Sequence, residues 1–143
     1  MKIMVALAHA CLWLVPVSAV KGRAMAKYSA LSQQTISACG SSASKVPVTS
    51  AGTLEVSLTS GGGGRGGDGD QGGAGTTVTG QISVQASDVV EVYIGCQGNS
   101  GSGRAGGGGG GASAVTVNGV VKLVAGGGGG AGMGHGGNPG GAA

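Results

Sequence analysis

Three uninterrupted glycine blocks constrain this chain more than any other feature: Gly61 to Gly64, Gly106 to Gly111 and Gly126 to Gly130. Thirty-three of the 83 residues from Gly61 onward are glycine, and fixing a glycine backbone costs more conformational entropy than fixing any other residue. Such blocks either stay as flexible linkers or find lateral partners for every peptide group. Linkers normally mix glycine with serine and other polar residues and lack apolar punctuation. Here each block adjoins a short β-branched run that needs a partner to bury one face.

Those runs read as strands. Thr53 to Thr59 (TLEVSLT) alternates Leu54, Val56 and Leu58 with polar residues and leads directly into the first block. Thr77 to Val84 places Val78, Ile82 and Val84 on one face with Gly80 at the same parity, and Val89 to Ile94 is a third strand. Ala114 to Val117 and Val120 to Val124 flank Asn118-Gly119, the pair best suited to the two positive φ angles of a type I′ hairpin.

Pure glycine can adopt the extended left-handed helix otherwise associated with proline, rising about 3.1 Å per residue. Without side chains, several such rods can approach closely enough for N–H and C=O groups to bond laterally. Six residues span about 19 Å, near the length of a five- or six-residue strand at about 3.3 Å each. The expected fold is therefore all-β with polyglycine II helices, a small strand and polyglycine bundle following a signal peptide. Collagen is excluded, because the glycines come in blocks and not at every third position.

The succession of strand, glycine block, strand, an IGxxG-like turn, GGGGGGASAV, an Asn-Gly turn and LVAGGGGGAG resembles the glycine-rich module of the anaplastic lymphoma kinase and leukocyte tyrosine kinase receptor ectodomains. It is also similar to glycine-rich modules of bacterial secreted proteins and phage tail-fibre adhesins. The resemblance covers about residues 46 to 134 and implies strands combined with a bundle of polyglycine helices. The chain has no kinase segment, so growth-factor binding is not carried over.

With no Phe, one Trp and two Tyr in 143 residues, the core must rest on Val, Ile and Leu and bury little area per residue. Covalent help is expected from cysteine. Residues 1–19 read as a secretory signal peptide: Lys2, an apolar run interrupted by Pro16, then Val17-Ser18-Ala19 at the cleavage point. Cys11 would leave with it. Cys39 and Cys96 then remain, and an even count in an oxidising compartment argues for one disulfide, with free thiols or an intermolecular bridge as the alternatives. Closing so long a loop would contribute roughly 4 kcal/mol on the chain-entropy account. Residues 20–48 show no strong period and are expected to form an N-terminal tether, 49–132 the glycine-rich domain, and 133–143 a flexible tail.

The formal charge of +3 gives a pI near 9.0, but five of the eight basic residues (Lys2, Lys21, Arg23, Lys27, Lys45) precede residue 49. The glycine-rich region is slightly acidic, with no basic stripe and no interleaved aromatics, so no nucleic-acid partner is expected. Contact with a membrane is expected only through the signal peptide.

Catalytic and cofactor chemistry has little material. Gly101-Ser102-Gly103-Arg104-Ala105-Gly106 fits the dinucleotide fingerprint GxGxxG, but glycines follow where a helix N-terminus is required. Gly63-Gly64-Arg65-Gly66-Gly67-Asp68 matches the opening of a calcium-binding nonapeptide, yet Asp68 and Asp70 alone cannot supply the six to eight oxygens calcium takes. His135 stands in the tail with no acid or thiol nearby in sequence, and no sequon for N-glycosylation occurs. No catalytic, cofactor-binding or metal residues are assigned. The expected role is a secreted, non-enzymatic structural or adhesion protein of the cell surface or extracellular matrix, facing a protein or glycan surface, with homo-association a further expectation. The alternatives are an ice-binding protein using Thr76, Thr77, Thr79, Ser57 and Thr59, or a disordered glycine-rich antimicrobial peptide. The slightly acidic charge of the repeat region argues against the latter.

Overall fold

The computed structural model describes residues 3–8, 33–134 and 137, with residues 3–8 and Gln33 described through their backbone. The described residues contain strands and no helix. Eight strands form two antiparallel sheets of four: β1 (Ile3–Ala8), β2 (Gln33–Ile36), β4 (Gly52–Thr59) and β5 (Thr77–Val84) in the order β2-β1-β4-β5, and β3 (Ser44–Val46), β6 (Val90–Tyr93), β7 (Ser113–Val117) and β8 (Val120–Ala125) in the order β3-β6-β7-β8. The all-β expectation holds.

The alternating pattern explains how the two sheets bury one face each. Leu54, Val56 and Leu58 of β4 are 0, 3 and 0 % exposed, whereas Glu55 between them faces solvent. They meet Ile82 and Val84 of β5 and, from the other sheet, Val90, Val92, Val115 and Val117 in one aliphatic cluster. Gly80 stands opposite Val56 in the register and leaves room for Leu123, whose Cδ1 would lie 3.2 Å from a Cβ placed there. Among the described residues one buried side-chain polar atom is left over: Thr116 is 7 % exposed, and its Oγ1 has no hydrogen-bond partner.

The five strands read from the sequence are β4 to β8, each within two residues of its expected ends. Asn118 and Gly119 have φ of 50° and 75°, as a type I′ hairpin requires. A bulge between Val115 and Thr116 offsets the β7–β8 register, leaving Val120 and Val121 exposed at the outer end of the edge strand.

Before residue 49 the structure differs from the tether expectation. Gln33–Ile36 and Ser44–Val46 are strands, and Ile36, Val46 and Val48 belong to the core cluster. Their short length hid them, because three or four residues cannot display a period. Ile3–Ala8, inside the segment read as a signal peptide, lies between β2 and β4 and pairs with both. Cys11 and the expected cleavage point Val17-Ser18-Ala19 lie outside the described residues.

Candidate functional site

The glycine blocks lie beyond the ends of the strands and bond to one another. Five segments take part, numbered here in chain order: 60–67, 71–76, 95–101, 105–112 and 126–132. Against the fourth segment, the amides of Gly61, Gly64 and Gly67 donate to the carbonyls of Gly111, Gly108 and Ala105 at 3.0, 2.8 and 2.9 Å. Gly98 and Gly101 donate to Gly62 and Arg65, and Gly128 and Ala131 to Gly61 and Gly64. Gly107 and Gly110 donate to Ala131 and Gly128, Gly108 and Gly111 to Asn99 and Cys96, and Gly73 and Thr76 to Gly129 and Gly126. In each of these sets the donors are three residues apart, where a β-ladder would repeat every two. The first segment bonds to all four others and is the centre of the assembly.

The same spacing decides where a side chain fits. A Cβ on Gly61 or Gly64 would fall on the carbonyl of Cys96 or Asn99, and one on Gly67 on that of Gly103. In the third segment Gly95, Gly98 and Gly101 are blocked in turn by Gly111, Gly108 and Ala105, while the residues between them carry ordinary side chains. Gly62 is different: the nearest atom to its Cβ position is the Gly73 carbonyl oxygen at 3.5 Å. Three residues further on, at the equivalent position, the chain carries its only large side chain in this segment, the exposed Arg65.

Two serines join these segments to the sheets. Ser113 Oγ, fully buried, accepts from the Gly95 amide and donates to the Thr59 carbonyl, both at 3.0 Å. Ser60 Oγ donates to the carbonyls of Gly126 at 2.5 Å and Thr76 at 3.3 Å. The Cys39–Cys96 disulfide, with Cα atoms 5.0 Å apart and a sequence separation of 57, fastens the third segment to the loop after β2. Beside it a cleft of about 290 Å³ is lined by Ser37, the disulfide, Thr59 to Gly62 and Gln97.

The near-motifs take structural roles. Ser102 to Ala105 form a tight turn between the third and fourth segments, closed by Ala105 N to Ser102 O at 3.1 Å, with Gly103 at φ 59°; the helix that dinucleotide binding needs does not follow. Asp68 sits in the turn between the first and second segments, where its Oδ2 accepts from the Gly134 amide at 2.5 Å and its Oδ1 from the Asp70 amide at 3.4 Å. Among the described residues no three His, Cys, Asp or Glu side chains converge as a metal site. His135 lies outside the described residues.

The cysteine pair was legible in the sequence, whereas the second and third glycine segments and both junction serines were not. For the third segment the signal was present: in Ile94-Gly95-Cys96-Gln97-Gly98-Asn99-Ser100-Gly101 glycine occupies every third position. No family model matches the chain, and no curated protein or solved structure shows significant similarity to it.

Proposed function

We propose that the protein is a secreted, non-enzymatic scaffold or adhesion module in which the five glycine-rich segments are polyglycine II helices, held against a disulfide-bonded β-sandwich. The observation that carries this reading is the three-residue spacing of the lateral hydrogen bonds, which matches the three-fold repeat of that helix. The resemblance to the receptor and adhesin modules points the same way, and the disulfide is consistent with an oxidising, extracellular setting. Rigid, regular backbone with few charges suits a spacer or a contact surface for another extracellular chain or glycan.

Hydrogen exchange on the oxidised protein tests the reading. Protected amides are expected at Gly107, Gly108, Gly110, Gly111 and Gly128. Uniformly fast exchange across these glycines would refute it, as the segments would then be linkers.

An ice-binding role has one observation in its favour. The solvent-side residues of β4 and β5 place Thr59 opposite Thr77, with their hydroxyls 2.8 Å apart, Ser57 opposite Thr79 and Thr53 opposite Ser83. Glu55 opposite Gln81 interrupts the row. An ice-recrystallisation assay decides it, and absence of inhibition removes this role.

A further inference from the structure

The tip of the β7–β8 hairpin is latched to the β5–β6 connection through one residue. The Asn118 main-chain amide donates to the Val89 carbonyl at 2.8 Å, its Oδ1 accepts from the Val89 amide at 2.9 Å, and its Nδ2 donates to Asp88 Oδ1 at 2.8 Å. Asp88 Oδ2 accepts from the Gln85 amide at 2.8 Å, so the carboxylate joins the hairpin tip to the turn before β6. This latch sits at the end of the sandwich away from the glycine segments, which adjoin the start of β7 and the end of β8.

The same residue is chemically labile. Asn118 and the Gly119 that follows it are both exposed. The Gly119 amide makes no hydrogen bond among the described residues, and a Cβ built there would meet no atom within 4 Å, so the main-chain nitrogen is unhindered. Its attack on Asn118 Cγ forms an N–Cγ bond and closes a cyclic imide, while the Cγ–Nδ2 bond breaks and Nδ2 leaves as ammonia with the Gly119 proton. Solvent water then opens the imide. Addition at Cγ gives aspartate, and addition at the main-chain carbonyl gives isoaspartate, in which the chain runs through the former side chain. In the folded protein both atoms of the side-chain amide are engaged, by Asp88 and by the Val89 amide, which restrains the rotation that imide closure needs.

We propose that Asn118 is a latent deamidation site, guarded by Asp88, and that its conversion unlatches this end of the sandwich. Aspartate in place of Asn118 sets a carboxylate oxygen against Asp88 Oδ1 where the Nδ2 donor stood, and like charges in contact repel. Isoaspartate adds a main-chain carbon to a turn whose two positive φ angles, 50° and 75°, admit no extra atom. In either product the Val89 amide and carbonyl lose their partner, and the buried pair Val90 and Val117, next in the register, loses its cover. The change needs only water, and it does not depend on the role proposed above.

The test ages the oxidised protein in mildly alkaline buffer and maps its peptides by mass spectrometry. Aspartate and isoaspartate are expected at position 118, while Asn99, which is followed by serine and whose carbonyl is held by the Gly108 amide, stays intact as an internal control. Asp88→Ala should speed the conversion at least about threefold by removing a charge-assisted hydrogen bond. Hydrogen exchange of the converted protein should show the Val89 and Asn118 amides released, with Val92 and Val115, paired on both sides within the sheet, still protected. Asn118→Asp should melt below wild type, and Asn118→Asp combined with Asp88→Asn, which again sets an amide against a carboxylate, should recover most of that loss. No product at position 118 in either protein, a rate that Asp88→Ala leaves unchanged or lowers, or a parallel rise at Asn99 overturns the proposal. So does a double variant as unstable as Asn118→Asp alone.

Discussion

Ser113 Oγ donates to the Thr59 carbonyl at 3.0 Å and so ties the end of β4 to the start of β7, 54 residues away. The same oxygen accepts from Gly95, so one fully buried hydroxyl serves two backbone groups where the sheets give way to the glycine segments. Ser113→Ala orphans both groups. A loss of about 2 kcal/mol is expected from the penalty for unsatisfied buried polar groups, read as a lower urea midpoint with unchanged slope.

Thr116 gives the opposite expectation. Its buried Oγ1 has no partner, so Thr116→Val exchanges an unsatisfied hydroxyl for a methyl of similar shape. The variant should gain about 1 kcal/mol in the same urea experiment. A loss would mean that the hydroxyl is satisfied in solution.

The glycine segments make a positional prediction. Gly62→Ala meets ordinary contact distances and should be neutral, or stabilising by up to about 1 kcal/mol through the entropy of the unfolded chain. Gly64→Ala drives a methyl onto the Asn99 carbonyl and should cost on the order of 3 kcal/mol. Thermal melts of the two variants, differing by one methyl two residues apart, check it. Equal melting temperatures would refute the close lateral contact.

Asp88 predicts a pH dependence. Its carboxylate accepts from the Gln85 amide and from Asn118 Nδ2, both at 2.8 Å, while Asn118 Oδ1 accepts from the Val89 amide at 2.9 Å. The Gln85 hydrogen bond, then the Asn118 one, hold the group below its ordinary value of 3.8. A carboxylate depressed in the folded state contributes stability that is fully present above its unfolded value and is lost as the pH falls through its folded value. Wild type should therefore melt above Asp88→Asn at pH 5 and above, with the gap closing below about pH 3.8. A gap independent of pH would rule the carboxylate out as its source.

Reducing the disulfide releases the third glycine segment from the loop after β2. With a sequence separation of 57, the cost is about 4 kcal/mol on the chain-entropy account. Cys39→Ser with Cys96→Ser should lower stability by a similar amount, and protection of Gly98 and Gly111 should fall with it. Protection that survives reduction would make the bridge incidental to the glycine segments.

The strands from Gly52 onward were legible because each has six to eight residues of alternation or an Asn-Gly turn beside it, and both are local signals. β2 and β3 were not, since their burial comes from pairing with strands distant in sequence and not from any pattern of their own. Ser113 and Ser60 look like ordinary strand-end serines until their partners, 54 and 66 residues away, are known. The cysteines were legible as a pair by counting. That they anchor the loop after β2 to a glycine segment follows only from the three-dimensional arrangement.

The three-residue spacing of the glycine contacts also limits how the blocks can change length. Deleting one glycine from Gly61 to Gly64 would bring Arg65 to the place of Gly64, where the Asn99 carbonyl leaves no room for a Cβ. Adding or removing three restores the phase. These tracts are thus counted in triplets of residues, and a lengthened or shortened version of this chain keeps its lateral contacts only when its blocks differ by multiples of three.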